Sequence, residues 1–177
     1  MIVLPGERVV LRPFRVDELD LLFNAFRAPD YPFGGSKLPT RAQLRRRIES
    51  SGTLWNGKLD LAIEAEGRLV GDADARAPRG AFPPGVFEIG VTLFDSVERG
   101  RGYGIEATKL VTDHLFGTEG AERVQATTAD WNMPMRRVLE KLGFANEGML
   151  RAFFPAEGGR DDYVMYALTR ADWNHRS

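Results

Sequence analysis

The sequence predicts one α/β (α+β) domain over residues 1–177, with a mixed, mostly antiparallel sheet flanked by helices. Three observations predict it. Periodicity and punctuation give the order strand, two helices, three strands, helix, strand, helix, strands, which is neither strict βαβ alternation nor segregated strands and helices. The helix expected over 105–116 leaves one strand and enters another, and a crossover helix makes those two strands parallel. No linker, repeat or low-complexity tract divides the 177 residues, a length that suits one core.

The elements follow in order. Val9, Val10 and Leu11 form a short apolar, largely β-branched run and read as a first strand. Asp17 reads as an N-cap, and Leu19, Leu22, Phe23 and Phe26 follow at the spacing of a core-facing helix. Pro29, Pro32, Gly34, Gly35 and Pro39 mark a loop, after which Thr40 can cap a second helix over 41–50. Arg45, Arg46 and Arg47 point in different directions on that helix and read as a solvated face. Residues 60–66 and 68–75 flank Gly67 as a hairpin. Residues 86–94 read as a strand, 105–116 as a helix and 123–128 as a strand. A helix over 134–142 is ended by Gly143, and a turn at Gly158 and Gly159 leads to a last strand over 163–168.

Composition excludes several classes. Twenty-four basic against 25 acidic side chains give a net charge of −1, so nothing draws the chain generally to nucleic acid or anionic membrane. The absence of cysteine excludes disulfides, a thiolate nucleophile and thiolate-bound zinc, and His114 and His175 alone cannot build a metal site. No apolar stretch approaches the roughly 18 residues of a membrane span. The short run from Met1 to Leu4, stopped by Pro5 and Gly6, does not read as a secretory leader. A cytoplasmic enzyme without metal is expected.

The chemistry concentrates in one stretch: Phe87-Glu88-Ile89-Gly90-Val91-Thr92-Leu93-Phe94, then Arg99-Gly100-Arg101-Gly102-Tyr103-Gly104, then Ile105-Glu106-Ala107. A strand enters a glycine loop that opens a helix. Glycines admit positive φ and let the backbone approach a ligand. The first-turn N–H groups and the helix dipole favour an anion there, and Arg99 and Arg101 add full charges. A pyrophosphate suits the site; a glycine connection without ligand is the plainer alternative. The Rossmann pattern fails because Ile105 stands where a third Gly or Ala belongs, and no Gly-Lys-Ser/Thr makes it a P-loop.

Arg99-x-x-Gly102-x-Gly104 resembles the coenzyme A pyrophosphate loop of the GNAT acetyltransferases, Gln/Arg-x-x-Gly-x-Gly/Ala. The text Arg-Gly-Arg-Gly-Tyr-Gly-Ile-Glu-Ala is similar to that of their RimJ/RimL branch. So are Asn132 with Val138-Leu139-Glu140-Lys141-Leu142-Gly143-Phe144, the strand Asn146-Glu147-Gly148-Met149-Leu150-Arg151, the turn Gly159-Arg160-Asp161-Asp162-Tyr163, and the opening Arg8-Val9-Val10-Leu11-Arg12-Pro13. These anchors cover nearly the whole chain in the family's order.

The resemblance implies a twisted sheet splayed at a central parallel pair, with the pantetheine arm of acetyl-CoA in the gap. Thr92, Leu93 and Phe94 would pair with that arm. Arg99, Gly100, Arg101, Gly102, Tyr103 and Gly104 would hold the pyrophosphate, and Asn132 would lie near the cofactor, cap the next helix, or both. The implied reaction is direct attack of a primary amine, on a protein N-terminus or a small molecule, upon the thioester in a ternary complex. Such an amine must lose a proton, and Glu88 is the first candidate base. Asp72 and Asp74 share one face of the preceding strand; they read as solvated or as binders of a cationic acceptor. The aromatic segment from Asp30 to Gly35 suits a lid over the acceptor or an ordinary surface loop. Trp131 reads as pocket wall or core, and His114 as a satisfied helix-face residue. Two departures stand out: Leu139 occupies the position of the family's frequent tyrosine acid, and Met135 that of a serine near the thiol. They motivate the alternative of a non-catalytic acyl-CoA-binding module. A monomer and a homodimer are equally compatible with the sequence.

Overall fold

The computed structural model describes residues 1–28, 38–77, 82–156 and 158–176. Their strands are β1 (Leu4–Pro5), β2 (Val10–Arg12), β3 (Lys58–Ala65), β4 (Arg68–Arg76), β5 (Val86–Leu93), β6 (Arg123–Ala129), β7 (Ala145–Ala156) and β8 (Gly159–Thr169). Their α-helices are α1 (Leu19–Ala25), α2 (Arg41–Ser50), α3 (Tyr103–Gly117), α4 (Met133–Lys141) and α5 (Arg170–Asn174). The strands form one sheet in the order β1-β2-β3-β4-β5-β6-β8-β7, in which only β5 and β6 are parallel. The expected mixed sheet with one crossover pair is therefore the observed one.

Local chemistry explains the boundaries. Thr40 accepts a bond from the Gln43 N–H and the Gln43 side chain answers the Thr40 N–H, a reciprocal cap that starts α2 where expected. The β3–β4 turn places both Glu66 and Gly67 at positive φ, the geometry of a tight two-residue hairpin. Asn56 and Gly57 make a second such turn, with Trp55 and Lys58 exchanging N–H···O bonds of 2.9 Å. The expectation for α1 is corrected. A short 3-10 turn, Val16–Glu18, precedes it, and the Glu18 carboxylate rather than that of Asp17 takes the Arg15 N–H at 2.7 Å. Glu18 is also tied to Arg12, which bridges onward to Glu64 at 2.7 Å. β1 and α5 escape the sequence reading because two and five residues show no periodicity.

The two faces of the sheet carry separate cores. One packs β2–β6 and β8 against α3 and α4 through Leu11, Leu61, Ile89, Val111, Leu115, Leu139 and Tyr166. The other packs Phe14, Leu22, Leu44, Ile48, Ala62, Leu69 and Phe94 beneath α1 and α2, with Leu19, Phe23 and Phe26 at its margin. Leu19, Phe23 and Phe26 thus pack as their spacing predicts. Burying two faces of one sheet leaves β5 and β6 in the middle of the molecule, where their divergence opens the site.

Candidate active site

β5 and β6 pair at Val86–Arg123, Phe87–Val124 and Glu88–Gln125, and no farther. Beyond Glu88, β5 stays paired to β4 through Leu93–Gly71 while β6 stays paired to β8 through Ala129–Tyr163. The two strands therefore separate along residues 89–93 and 126–129. A strand side without a partner has N–H and C=O groups that need one. Phe94 donates its N–H to Val70 C=O at 3.0 Å. By the two-residue alternation of a strand, Thr92 and Gly90 also face β4, while Leu93, Val91 and Ile89 turn their backbone groups to the gap. Of Thr92, Leu93 and Phe94, Leu93 thus turns its backbone to the gap, as Val91 does, while Thr92 and Phe94 turn theirs to β4. Phe94 is buried beneath α1, with its ring centroid 6.4 Å from that of Phe26.

The glycine loop sits at the open end of the gap. Gly100 and Gly102 have φ of 77° and 85°, and Gly102 is the N-cap of α3. A Cβ at Gly100 would meet nothing within 4 Å, and one at Gly104 would meet only a Leu93 methyl at 3.9 Å. Space lies before the first turn of α3, whose N–H groups have no intrahelical acceptor. Arg8 closes one side: it donates to Arg101 C=O at 3.4 Å, and its side chain lies 3.3 Å from where a Gly102 Cβ would be. Glu106 fixes that approach by accepting the N–H groups of Glu7 and Arg8.

Arg99 is exposed. Arg101 is engaged with Glu66 at 2.7 Å and with Glu98 at 3.0 Å, and Glu98, only 5% exposed, also binds Arg68. The Arg101 guanidinium therefore stitches the loop to the β3–β4 turn, and its charge is already matched. Tyr103 is buried and donates its hydroxyl to Glu66 at 3.2 Å, a further stitch. What the loop itself presents is backbone N–H groups and the space beside Gly100 and Gly104.

Asn132 lies just past the end of β6 and accepts the Met135 N–H at 3.3 Å, so it caps α4. The N-termini of α3 and α4 thus follow the carboxyl ends of the two parallel strands, the end where ligands bind in α/β sheets. Leu139 is fully buried and Met135 packs on the same core, so neither donates a proton. Trp131 is 59% exposed and donates to Asp161 at 3.0 Å; it is not core. His114, its side chain 8% exposed, lies 3.1 Å from Glu119, but its buried Nε2 makes no hydrogen bond among the described residues, so it is not the satisfied histidine expected.

On the α1/α2 face, charged groups cluster beside the split. Arg47 is not solvated: it is pinned between Asp60 at 2.6 Å and Asp72 at 2.5 Å. Burial works against its charge, but the two carboxylates outweigh this and hold the guanidinium firmly protonated. The expectation of solvated Asp72 is corrected in the same way, since Asp72 is buried against α2. Asp74 stands opposite Gly90, with one oxygen 2.6 Å from where a Gly90 Cβ would be. Burial, opposed by Arg76 and reinforced by Asp72, pushes its carboxyl up to about 6. Glu88 is held by Arg76 at 2.9 Å and by the Gln125 amide at 3.3 Å. The segment from Asp30 to Gly35 lies outside the described residues. The sequence missed Arg47 because the cause of its burial, a pair of aspartates on two strands, is not local. Among the described residues no cluster of His, Cys, Asp and Glu could hold a metal ion, and no helix is long and apolar enough to cross a membrane.

The chain is similar to known acetyltransferases in sequence and in fold. A family model described as an acetyltransferase (GNAT) domain matches residues 8–145. The probable N-acetyltransferase YjcK of Bacillus subtilis (strain 168) is 26% identical over 184 residues, 96% of this chain and 98% of that one. The ribosomal protein uS5-alanine N-acetyltransferase of Escherichia coli (strain K12) is 30% identical over 112 residues, 53% of this chain and 58% of that one. Mycobacterium smegmatis RimJ, solved in complex with CoA-disulfide, superposes with a TM-score of 0.74 at 24% identity, over 91% of this chain and 81% of that one. With the family model matched over residues 8–145, the chain belongs to the GNAT acetyltransferase family, and RimJ/RimL-like enzymes are among its relatives.

Proposed function

We propose that the protein transfers the acetyl group of acetyl-CoA to a primary amine by direct attack in a ternary complex. The observation that carries this reading is the separation of β5 from β6 after three paired positions, directly below a glycine loop that opens α3. An extended amide-bearing arm fits such a gap because it can pair with the gap-facing backbone of Val91 and Leu93 as a strand would. A pyrophosphate fits the loop because Gly100, Gly104 and the α3 N-terminus offer N–H groups and room, with Gly102 at positive φ capping the helix beside Arg8. Asn132, by capping α4, orders the opposite wall. A backbone N–H near Leu93 can receive the negative charge that develops on the thioester oxygen.

The acceptor approaches from the α1/α2 face, where Asp60, Asp72, Asp74 and Glu88 favour a cation. An alanine N-terminus, as in the uS5-alanine relative, and a small polyamine both carry that charge. Glu88 keeps a place in this reading as the residue that fixes Arg76 at the point where the strands part.

A second reading, an acyl-CoA-binding module without turnover, is favoured by Leu139 and Met135, which leave the departing thiolate without a side-chain acid. Calorimetry with acetyl-CoA, followed by thiol release across N-terminal peptides and small amines, separates the two. Binding with release for some amine supports the transferase, and binding without release for any amine supports the module. Gly104→Glu is the control for the cofactor site. Position 104 is helical with open space beside it, so the variant should fold. Its carboxylate should repel the pyrophosphate and weaken acetyl-CoA binding about 100-fold or more, roughly 3 kcal/mol. Unchanged affinity would move the cofactor away from this loop.

A further inference from the structure

We propose that Asp74 takes the proton from the acceptor amine, while Glu88 serves to position Arg76; the proposal rests on the acetyltransfer reading above.

Position is the first argument. Asp74 lies on β4 directly opposite Gly90, two residues beyond the last β5 residue paired to β6. Its carboxyl occupies the volume that a side chain at residue 90 would fill, 2.6 Å from that Cβ position. With glycine there, the carboxyl lies over β5 at residue 90, just past the last pair between β5 and β6. Glu88, one pair lower, is committed on both oxygens, one to Arg76 and one to Gln125.

Charge is the second. The groups around Asp74 are Lys58 and Asp60 from β3, Asp72 and Arg76 from β4, Glu88 from β5 and Arg47 from α2. Arg47 joins Asp60 and Asp72, Lys58 joins Asp60, and Arg76 lies 3.3 Å from Asp74 and 2.9 Å from Glu88. Four carboxylates thus face three cations, and one ammonium completes the set. An independent sign is Asp72 Oδ1, a buried oxygen with no hydrogen-bond partner among the described residues. A buried acceptor without a donor is costly, and an ammonium beside Asp74 supplies donors. A recess of about 400 Å³ lined by Ser50, Trp55, Asn56, Lys58, Asp60 and Arg76 adjoins the cluster and gives the acceptor's remaining atoms a place.

The chemistry balances. The ammonium gives one proton to Asp74, directly or through a water. The freed nitrogen lone pair forms the C–N bond at the thioester carbonyl carbon, the C–S bond breaks, and sulfur leaves with its electron pair. The nitrogen's second proton goes to the thiolate, and Asp74 returns its own to solvent. Amide, thiol and one proton are the products. The elevated value of about 6 at Asp74 suits a base that works near neutral pH.

The test uses the full chain, an acceptor found in the amine panel, and kcat and KM measured against pH. Asp74→Asn should keep the wild-type acetyl-CoA affinity and lose 10²- to 10⁴-fold in kcat, the usual range for removing a general base. The wild-type acid limb near pH 6 or above should vanish with it. Glu88→Gln should lose less and keep that limb, and Asp74→Glu should recover part of the rate. Retained rate in Asp74→Asn, or an acid limb lost in Glu88→Gln and kept in Asp74→Asn, would overturn the assignment. If the amide variant does not fold, the wild-type profile decides: a kcat/KM flat from pH 5 to 8 also overturns it. Failure of the acetyltransfer reading is visible separately, as wild-type protein that binds acetyl-CoA and acetylates no amine.

Discussion

Asp74 and Arg47 are adjacent parts of one charge cluster with opposite effects on stability. The folded-state value of Asp74 is raised to about 6 from 3.8, so the folded chain holds this proton more tightly than the unfolded chain. Stability attributable to it is therefore full below the unfolded value and falls as pH rises toward 6, leaving a penalty of up to about 3 kcal/mol above it. Asp74→Asn should raise the unfolding free energy by about 1–3 kcal/mol at pH 7.5, and the gain should disappear below pH 4. Urea unfolding at both pH values checks this; a loss at pH 7.5 would contradict the burial of the charge. Such a cost at one carboxylate is common at sites kept for function. Arg47 has the reverse sign. Arg47→Met leaves buried Asp72 without Arg47 and Asp60 with Lys58 alone, and should cost about 3–5 kcal/mol in the same assay. Arg47→Lys should recover little, because one ammonium cannot reach two carboxylates with the fork of a guanidinium.

At the scale of elements, β5 has two different edges along one strand. Gly90, Thr92 and Phe94 direct their backbone to β4, whereas Val91 and Leu93 direct theirs to the gap. Amide exchange should therefore alternate: fast at Val91 and Leu93, slow at Gly90 and Thr92. Saturating acetyl-CoA should slow the first pair at least tenfold and leave the second pair nearly unchanged. Hydrogen exchange read by NMR checks the pattern, and uniform protection before ligand is added would mean that the gap is closed. The loop before α3 shows how an element divides its labour. Gly100 and Gly104 leave space beside the backbone, while Arg101 and Tyr103 turn back to Glu66 and Glu98 and hold the loop against the β3–β4 turn. The alternation of glycine with larger residues was visible in the sequence. That Arg101 reaches Glu66 was not, because Glu66 lies 35 positions away.

For the whole molecule, three residue pairs between β5 and β6, with the helices packed on the sheet, join the β1–β5 half to the β6–β8 half. A ligand that pairs in the gap ties the halves together and binds only the folded state. Acetyl-CoA at 100 times its Kd should thus add about 2.7 kcal/mol, or roughly 5–10 °C in Tm for a chain of this size. Calorimetric melting with and without acetyl-CoA checks this, and Gly104→Glu should abolish the shift.

The sequence by itself determined what local rules govern. Thr40 with Gln43 set the start of α2, Gly67 set a hairpin, the spacing of Leu19, Phe23 and Phe26 set a buried helix face, and the Arg99–Gly104 pattern with its flanking motifs set the family. Asn56-Gly57 was an equally local signal for a tight turn and could have been read. The tertiary structure alone decided how far β5 and β6 run together, which backbone groups face the gap, and which charges are buried. Arg47 looked like one of three solvated arginines, and Asp72 and Asp74 like an exposed face, because their surroundings come from α2, β3 and β5 at once. Backbone propensity acts within a few residues, whereas burial and ion pairing depend on whatever the fold brings within a few ångströms, and the proton chemistry of this site belongs to that second kind.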